Sequence, residues 1–218
     1  MRCLLIQSTG KHFMACGDMK FMDEMLAMPR DARVRRNLDV IIQWDAMLAA
    51  LLALPQPVVA RVQGGAVGAA VGLIAACDLV IAGEAALLSV AHVHHAEAVS
   101  GMITYFLPRQ IGYKKAMHLA LLGDRIAARE AERLGLVSLV VADSELNAET
   151  DKLIARLLQG PSAGYALIKE IILASLDNGR AEQVALEHVA ASKSAATNDW
   201  LEGCDALYRR RTPRFQGR

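Results

Sequence analysis

Residues 57–83, PVVARVQGGAVGAAVGLIAACDLVIAG, carry the strongest structural signal in this chain. The pattern predicts an apolar strand, a glycine-rich turn, an apolar helix and a second apolar strand. Such an arrangement presents backbone amide groups to a developing negative charge. The stretch approaches the length of about 20 apolar residues that a membrane span needs. Its four turn and helix glycines and the charge of Asp78 favour a buried turn and helix instead.

Composition indicates one main globular domain in a reducing compartment. The chain has 218 residues, of which 54% are hydrophobic and 22% charged, and its net charge is +1. This balance provides no basic field for nucleic acid; the one basic cluster is C-terminal, at Arg209, Arg210, Arg211, Arg214 and Arg218. The N-terminus lacks the long apolar region of a signal peptide. We therefore expect the cytoplasm, with thiols at the scattered Cys3, Cys16, Cys77 and Cys204.

The first half of the chain predicts strands alternating with helices. Residues 2–7 predict a strand buried on both faces. A helix capped by Asp18 follows, with a methionine face that we interpret as core filling (Met19, Met22, Met25 and Met28). Residues 29–36 are charged and exposed, and an apolar helical face then runs from Leu38 to Leu52. Strands at 57–62, 79–82 and 87–90 around a helix at 71–77 predict a parallel or mixed sheet.

Beyond Gly101 the pattern is almost entirely helical. Helices are predicted at residues 102–111, 113–122, 127–134, 147–159, 162–177, 181–197 and 200–211, and one clear strand at 137–141. The sequence contains no internal repeat and no low-complexity linker. The last third of the chain is therefore expected to form a helical layer.

Four motifs together resemble the crotonase superfamily of enoyl-CoA hydratases and isomerases. They are HFMACGDMK at residues 12–20, VQGGAVG at 62–68, LGDRIAAREA at 122–131 continuing to GLV at 135–137, and the ending EG at 202–203 through RRTPRF at 210–215. The resemblance implies an α/β crotonase-like (ClpP/crotonase) fold of repeated β-β-α units, with helices around a core sheet. Residues 1–142 would form this core, and residues 143–218 a helical trimerisation region. The chain looks N-terminally short, lacking the usual first strand pair and helix.

The resemblance also implies an oxyanion hole of two backbone amides that hold a thioester oxygen as it becomes an enolate. By position these amides belong to Gly17 and Ala69. Small residues at these places let a ligand approach the backbone, and one such donor is worth roughly 3–4 kcal/mol in the transition state. Close packing of strand on helix, with no ligand, explains the glycines equally well.

The hydratases of this family use two glutamates, and the corresponding positions here are Gly72 and His92. Without these carboxylates the chain should be a poor hydratase of the usual kind. His92 is the preferred proton carrier, as the single base of an isomerase that moves one proton. The alternative is that His92 only hydrogen-bonds inside a polar pocket. Glu97 is the second candidate base. Its alternative interpretation is an exposed loop residue without a catalytic role.

No metal site and no P-loop is expected, whereas contacts to coenzyme A are. His92, His94 and His95 have no clear third ligand beside Glu97, so no metal is expected. The turn at residues 64–68 has no following Lys-Ser or Lys-Thr pair, which argues against a P-loop. The resemblance implies coenzyme A contacts, as part of the substrate and without a separate cofactor, from Ala15, Asp18, Met19, Lys20, Gly65, Gly68, Arg210 and Arg211. Arginines at a surface helix can also serve solubility alone.

Two hypotheses for function follow. The first is an enoyl-CoA hydratase or isomerase of fatty acid metabolism, a lyase or isomerase assembled as a homotrimer or a dimer of trimers. It would act through a stabilised enolate by isomerisation or nonstandard hydration, with Met19 and Met22 lining an acyl tunnel. The second is an acyl-CoA-binding or assembly protein that has kept the fold and lost the chemistry, which the glycine at position 72 favours.

Overall fold

A computed structural model describes residues 1–15 and 17–217 of the chain. Within these residues the strands form two sheets of four strands each. Their bounds are β1 (Leu4–Gln7), β2 (Met14–Ala15), β3 (Val58–Val62), β4 (Gly65–Val67), β5 (Leu79–Gly83), β6 (Leu87–Ser89), β7 (Ile126–Ala127) and β8 (Leu139–Val141).

Helices account for most of the remaining chain. They are α1 (Met19–Leu26), α2 (Arg30–Leu52), α3 (Ala69–Ala76), α4 (Ile103–Ile111), α5 (Tyr113–Leu122), α6 (Ala128–Leu134), α7 (Leu146–Leu158), α8 (Ser162–Ala174), α9 (Arg180–Ala195) and α10 (Asn198–Tyr208). Short 3₁₀ helices occupy His92–His95 and Asp143–Glu145. The predicted α/β class and the helical C-terminal third are therefore confirmed.

The first sheet has the strand order β1-β3-β5-β8. Strand β5 is parallel to both β3 and β8, with Val59 opposite Leu79 and Ile81 opposite Leu139. Four of the five residues of β3 are buried, as expected of an apolar strand in a parallel sheet. The prediction that residues 2–7 are buried on both faces is wrong. Strand β1 is an edge strand, and its three apolar residues are only half-buried.

The second sheet has the order β2-β4-β6-β7 and carries the candidate site. Strand β4 is parallel to β2 and to β6, whereas β6 and β7 are antiparallel. The sequence did not predict β2 and β7, which have only two residues each, or β4, which begins at one of the turn glycines. Strand β4 lies inside the segment that the sequence predicts as a glycine turn.

Helix α3 follows β4 after a single residue and is almost entirely buried. Seven of its eight residues, Ala70 to Ala76, are buried. A helix that is apolar on all sides is typical of a protein core, so its composition explains its position. The predicted sequence of strand, glycine-rich segment, helix and strand over residues 57–83 is thus confirmed, with β4 added.

Helices α1 and α2 differ from their predictions. No residue of α1 is buried and Met19 is 76% exposed, so the interpretation of its methionines as core filling is wrong. Helix α2 begins at Arg30, and its predicted apolar face is largely exposed, with Leu38 at 53%. The buried residues of α2 are Leu48 and Leu51, near its C-terminal end. Only this end packs against the core.

The chain divides into two compact units. The larger contains residues 6–53 and 59–149, and the smaller contains residues 1–5, 54–58 and 150–217. In the smaller unit α8 packs against α9, and α9 packs against α10. Arg2 ties the N-terminus to this unit, because its Nη2 donates to the Gly160 carbonyl at 2.7 Å. The role of residues 143–218 in trimerisation stays a prediction.

The structure also bears on two general features, membrane-spanning helices and disulfides. Among the described residues, no helix has both the length and the apolar character that a bilayer crossing demands. Cys3, Cys77 and Cys204 are not joined by disulfides, and Cys16 lies outside the described residues.

Candidate active site

Three parallel strands of the second sheet end at one edge. In their pairing, Ala15 of β2 stands opposite Val67 of β4, and Val67 stands opposite Ser89 of β6. Because neighbouring strands lie about 4.8 Å apart, the ends of the three strands are close to one another. Two residues beyond it, the chain reaches Gly17 and Ala69. The segments that carry the two predicted amide donors therefore leave the sheet at the same edge.

Ala69 is the first residue of α3, and the glycine before it sets the direction of the helix. Gly68 has φ +63° and ψ −125°, a conformation that L side chains rarely adopt, and its N–H donates to the Ser89 carbonyl at 2.9 Å. The N–H of a first helical residue has no carbonyl partner in its own helix and lies at the positive end of the helix dipole. The Ala69 amide is thus suited to hold a negatively charged oxygen.

The other predicted binding residues of this turn are used differently. The N–H of Gly65, in β4, donates to Nδ1 of His12 at 2.9 Å. Gly64 has φ +57°, and a Cβ added there would overlap the Lys11 carbonyl oxygen. Residues 64 and 65 therefore hold the segment around His12 against β4, whereas Gly68 and Ala69 begin the helix.

The segment after β2 brings Gly17 to the same edge. Gly17 is exposed, and a Cβ added there would meet only Cε of Met22 at 3.5 Å, so its backbone is open to a ligand. Asp18 caps α1 by accepting the Lys20 N–H at 2.9 Å. The side chains of Met19 and Lys20 are exposed. The structure thus places Ala15 and Gly17 at the edge and gives the Asp18 carboxylate a local capping function.

His92 is buried, with 4% exposure, and opens the 3₁₀ helix that follows β6. Its Nδ1 lies 3.0 Å from the Val90 carbonyl oxygen, and its backbone N–H also donates to Val90. Because a carbonyl oxygen only accepts, Nδ1 must carry the hydrogen of the ring. In the tautomer with the hydrogen on Nδ1, Nε2 holds the lone pair and can accept a proton.

Glu97 lies next to His92 but is engaged by another side chain. Its Oε2 is 2.7 Å from Nε2 of His95, and its backbone N–H donates to the His92 carbonyl at 3.1 Å. His94 faces elsewhere, with Nε2 3.3 Å from the Gly123 carbonyl oxygen. In the part of the chain that the structure describes, no group of three metal-ligating side chains converges.

A turn that the sequence analysis did not single out packs against the first turns of α3. A Cβ added to Gly72 would overlap the carbonyl oxygen of Gly101, and Ile103 Cγ1 would lie 3.2 Å from it. Gly101 has φ +70°. The point where its own Cβ would stand lies 4.0 Å from Ala69 Cβ and 3.0 Å from Nε1 of Trp44. Backbone therefore occupies the space beside Gly72 that a side chain would need.

Trp44 comes from α2, and its indole N–H is buried without a hydrogen-bond partner among the described residues. Sequence reasoning missed both Trp44 and the role of Gly101. A glycine immediately before a predicted helix was the one available signal for the turn. The long-range contact with Gly72 gave no local signal.

The two predicted arginines belong to the smaller unit. Arg211 donates to Oε1 of Glu202 at 2.6 Å, to Oε2 at 2.8 Å, and to Asp205 at 2.6 Å. The Arg211 guanidinium, followed by the Arg214 N–H, lowers the pKa of Glu202 from 4.5 to about 2. Arg210 is exposed, with φ +53°. The charge of Arg211 is thus already balanced by two carboxylates.

The fold matches that of known acyl-CoA enzymes. The enoyl-CoA hydratase of Bacillus anthracis superposes with a TM-score of 0.90 at 30% identity, over 100% of this chain and 82% of that one. Together with the amide-bearing edge, this defines a crotonase-fold protein. The profile of the enoyl-CoA hydratase/isomerase family matches residues 1–218, and the chain belongs to this family. The resemblance inferred from the four motifs is thereby confirmed.

Two relatives indicate the range of names in the family. A protein of Rhodobacter capsulatus named "probable enoyl-CoA hydratase" is 35% identical over 184 residues, which are 84% of this chain and 72% of that protein. The trans-2-decenoyl-[acyl-carrier-protein] isomerase of Streptococcus mutans is 31% identical over 218 residues, covering all of this chain and 82% of that one. The family is thus established, and its members carry names of both reactions.

Proposed function

We propose that this protein is an enoyl-thioester isomerase that moves one proton with His92. The observation that carries the proposal is the burial of His92 at 4% exposure, with Nδ1 directed to the Val90 carbonyl and Nε2 left to act as a base. The segment holding His92 follows β6, the neighbour of the strand that leads to Ala69. A base and an oxyanion donor at one sheet edge suit proton transfer next to a thioester.

The proposed reaction uses the backbone at two points. The N–H groups of Gly17 and Ala69 bind the thioester oxygen, which stabilises the enolate that forms when a proton leaves the α carbon. Nε2 of His92 takes this proton from C2 of a 3-enoyl thioester and returns it to C4. The double bond then lies between C2 and C3, and no atom has been gained or lost.

Several finer assignments are part of the same proposal. Coenzyme A carries the acyl group, and the coenzyme is part of the substrate. Residues near α1, Met19 and Met22 among them, line the acyl chain's path because thioether side chains adapt to varied apolar shapes. The isomerase named in Streptococcus mutans supports a one-proton reaction within this family, although the name of that relative specifies an acyl-carrier-protein substrate. The homotrimeric assembly and the cytoplasmic location also remain proposals.

A second candidate is an acyl-CoA-binding or assembly protein without turnover. The observation that favours it is the contact of Gly101 with Gly72, which leaves no room for a carboxylate on α3. Such a protein would bind thioesters through the two amides and convert none of them.

Calorimetry and an ultraviolet assay separate the two candidates. We expect micromolar to millimolar binding of butyryl-CoA and crotonyl-CoA, with conversion of a 3-enoyl-CoA far exceeding hydration of crotonyl-CoA. Binding without turnover across a panel of chain lengths would establish the second candidate. Absence of binding to every acyl-CoA would contradict both.

A further inference from the structure

The His95–Glu97 pair lies beside the buried His92 in the same short segment. Nε2 of His95 and Oε2 of Glu97 are 2.7 Å apart, and the two side chains are 39% and 31% exposed. The His92 and His95 ring centroids are 6.2 Å apart, with their planes inclined by 33°. The buried imidazole of His92 therefore has as its ring neighbour a partly exposed imidazole that is paired with a carboxylate.

The backbone holds these three groups in place. The 3₁₀ helix His92–His95 ends at Ala96, whose φ of +56° reverses the chain. The Glu97 N–H then donates to the His92 carbonyl at 3.1 Å. Because this bond returns Glu97 to the start of the turn, the pairing of its carboxylate with His95 follows from the local geometry.

The distance between the rings suits transfer through one water molecule. Two hydrogen bonds of about 2.8 Å through a water span roughly 5 Å between nitrogen atoms, a separation that ring centroids 6.2 Å apart allow. Nε2 of His95 faces Glu97, so its Nδ1 remains to accept a proton.

We propose that His95 and Glu97 form a relay that exchanges the proton of His92 with solvent. The proposal rests on the proposed role of His92. After His92 Nε2 has taken the α proton, it passes a proton to the bridging water, which gives one of its own to Nδ1 of His95. His95 then exchanges this proton for one from bulk water, and the same steps in reverse return the solvent proton to Nε2 of His92 for delivery to C4. Glu97 holds the ring throughout. Only N–H and O–H bonds form and break, and the charge is conserved.

An ordinary surface ion pair is the alternative explanation. Exposed pairs contribute little to stability and need no function. The chain provides a second pair of this kind as a comparison, because His118 Nε2 and Asp124 Oδ2 are 3.2 Å apart at 51% and 56% exposure. The ring neighbour of the buried His92 is His95, so only the first pair is expected to affect proton exchange.

Deuterium incorporation tests the relay. The protein converts a 3-enoyl-CoA in D₂O, and mass spectrometry measures deuterium in the product at equal conversion. We expect deuterium in the wild-type product, and several-fold less with His95→Gln or Glu97→Gln, because the base then returns the original proton more often. Asp124→Asn is the matched control and should give the wild-type deuterium content. The rate of conversion should fall less than the deuterium content in both relay variants.

Exchange without turnover gives a second measurement. Butyryl-CoA cannot isomerise, so deuterium entering its C2 position reports proton exchange at His92 alone, and it should slow in the same two variants. Unchanged deuterium content in both variants would overturn the relay, as would complete loss of turnover in Glu97→Gln, which would make Glu97 the base itself. Failure of the proposed function differs from either result, because the wild-type protein would then neither isomerise the 3-enoyl-CoA nor exchange butyryl-CoA.

Discussion

At the scale of single residues, His92 is the one buried histidine among six, and the other five are exposed. Burial separates it from bulk water, and the Val90 carbonyl fixes which nitrogen carries the hydrogen. Both conditions follow from the turn after β6 and not from the histidine itself. They distinguish His92, the proposed base at the thioester, from the exposed His94 and His95 next to it.

Replacing this side chain should remove the chemistry and leave binding intact. We expect His92→Ala to lower kcat by about a hundred- to ten-thousand-fold, the usual contribution of a general acid-base group. The affinity for acyl-CoA should stay nearly unchanged, because the backbone amides of Gly17 and Ala69 hold the thioester. Steady-state kinetics and calorimetry measure the two quantities, with His118→Ala as control. Full activity of His92→Ala would move the role to Glu97 or to a water.

Gly72 differs from an ordinary helical glycine in what lies beside it. We expect Gly72→Ala to lower the free energy of unfolding by about 1–3 kcal/mol, because a Cβ would overlap the Gly101 carbonyl oxygen. Gly203, inside α10, is the matched control, since its Cβ would meet Phe215 at an ordinary 3.5 Å. Gly203→Ala should be neutral or stabilising by up to about 1 kcal/mol.

Urea denaturation of both variants measures this difference. A Gly72→Ala protein as stable as the wild type would show that the turn at Gly101 moves aside. Gly72→Glu extends the same argument to chemistry: a carboxylate needs the same space, so this variant should lose stability without gaining hydration of crotonyl-CoA.

At the scale of elements, the C-terminal segment after α10 is held by acidic side chains of that helix. The buried Asp199 accepts the N–H groups of Gln216 and Gly217 at 2.6 and 2.7 Å. Glu202 accepts the Arg214 N–H at 2.7 Å and pairs with Arg211. The segment thus follows α10 through charge-assisted hydrogen bonds, which are stronger than neutral ones.

These contacts predict a loss of stability in acid. The pKa of Glu202 is lowered from 4.5 to about 2, so its ionised form is favoured in the folded state. Its contribution is complete above about pH 4.5 and disappears as the pH falls towards 2. We therefore expect Glu202→Gln to lower Tm at pH 7, and the difference from wild type to shrink below pH 4.5.

Thermal unfolding at a series of pH values from 7 to 2 measures this shift, with the exposed Glu187→Gln on α9 as control. A Tm difference that stays constant through the acid range would contradict a role for the Glu202 charge.

The whole molecule is predicted to be a trimer or a dimer of trimers, and α10 exposes apolar residues that such an assembly would bury. Leu207 and Tyr208 are 81% and 89% exposed at the end of this helix. Exposed apolar groups at a helix end suit burial against another copy, because their removal from water is favourable. We expect light scattering to give three or six times the 23.5 kDa chain mass.

Leu207→Glu should shift this mass towards that of the single chain, because a charge in an apolar interface is costly. Leu121→Glu, at an exposed leucine of α5, serves as control. A wild-type protein that remains at 23.5 kDa at high concentration would contradict the trimer.

The class of the fold, the helical C-terminal third and the family were predicted correctly from the amino-acid sequence. The long apolar segment at residues 57–83 and the helices beyond Gly101 have strong local patterns, and such patterns need no partner to be recognised. The family resemblance implied Gly17 and Ala69 as amide donors and His92 as the preferred proton carrier. The sequence did not predict β2 and β7, whose two residues each carry no periodic signal, or β4, whose glycine indicated a turn.

The surroundings of these residues became visible in the folded chain and were not predicted. Strand register aligns the segments that carry Gly17 and Ala69, a turn 29 positions along the chain fills the space beside Gly72, and Val90 selects the tautomer of His92. The partners of Glu97 and Arg211 likewise come from folding. The physical reason is that hydrogen bonds and close contacts depend on distances in space, which a residue's type and its sequence neighbours do not specify.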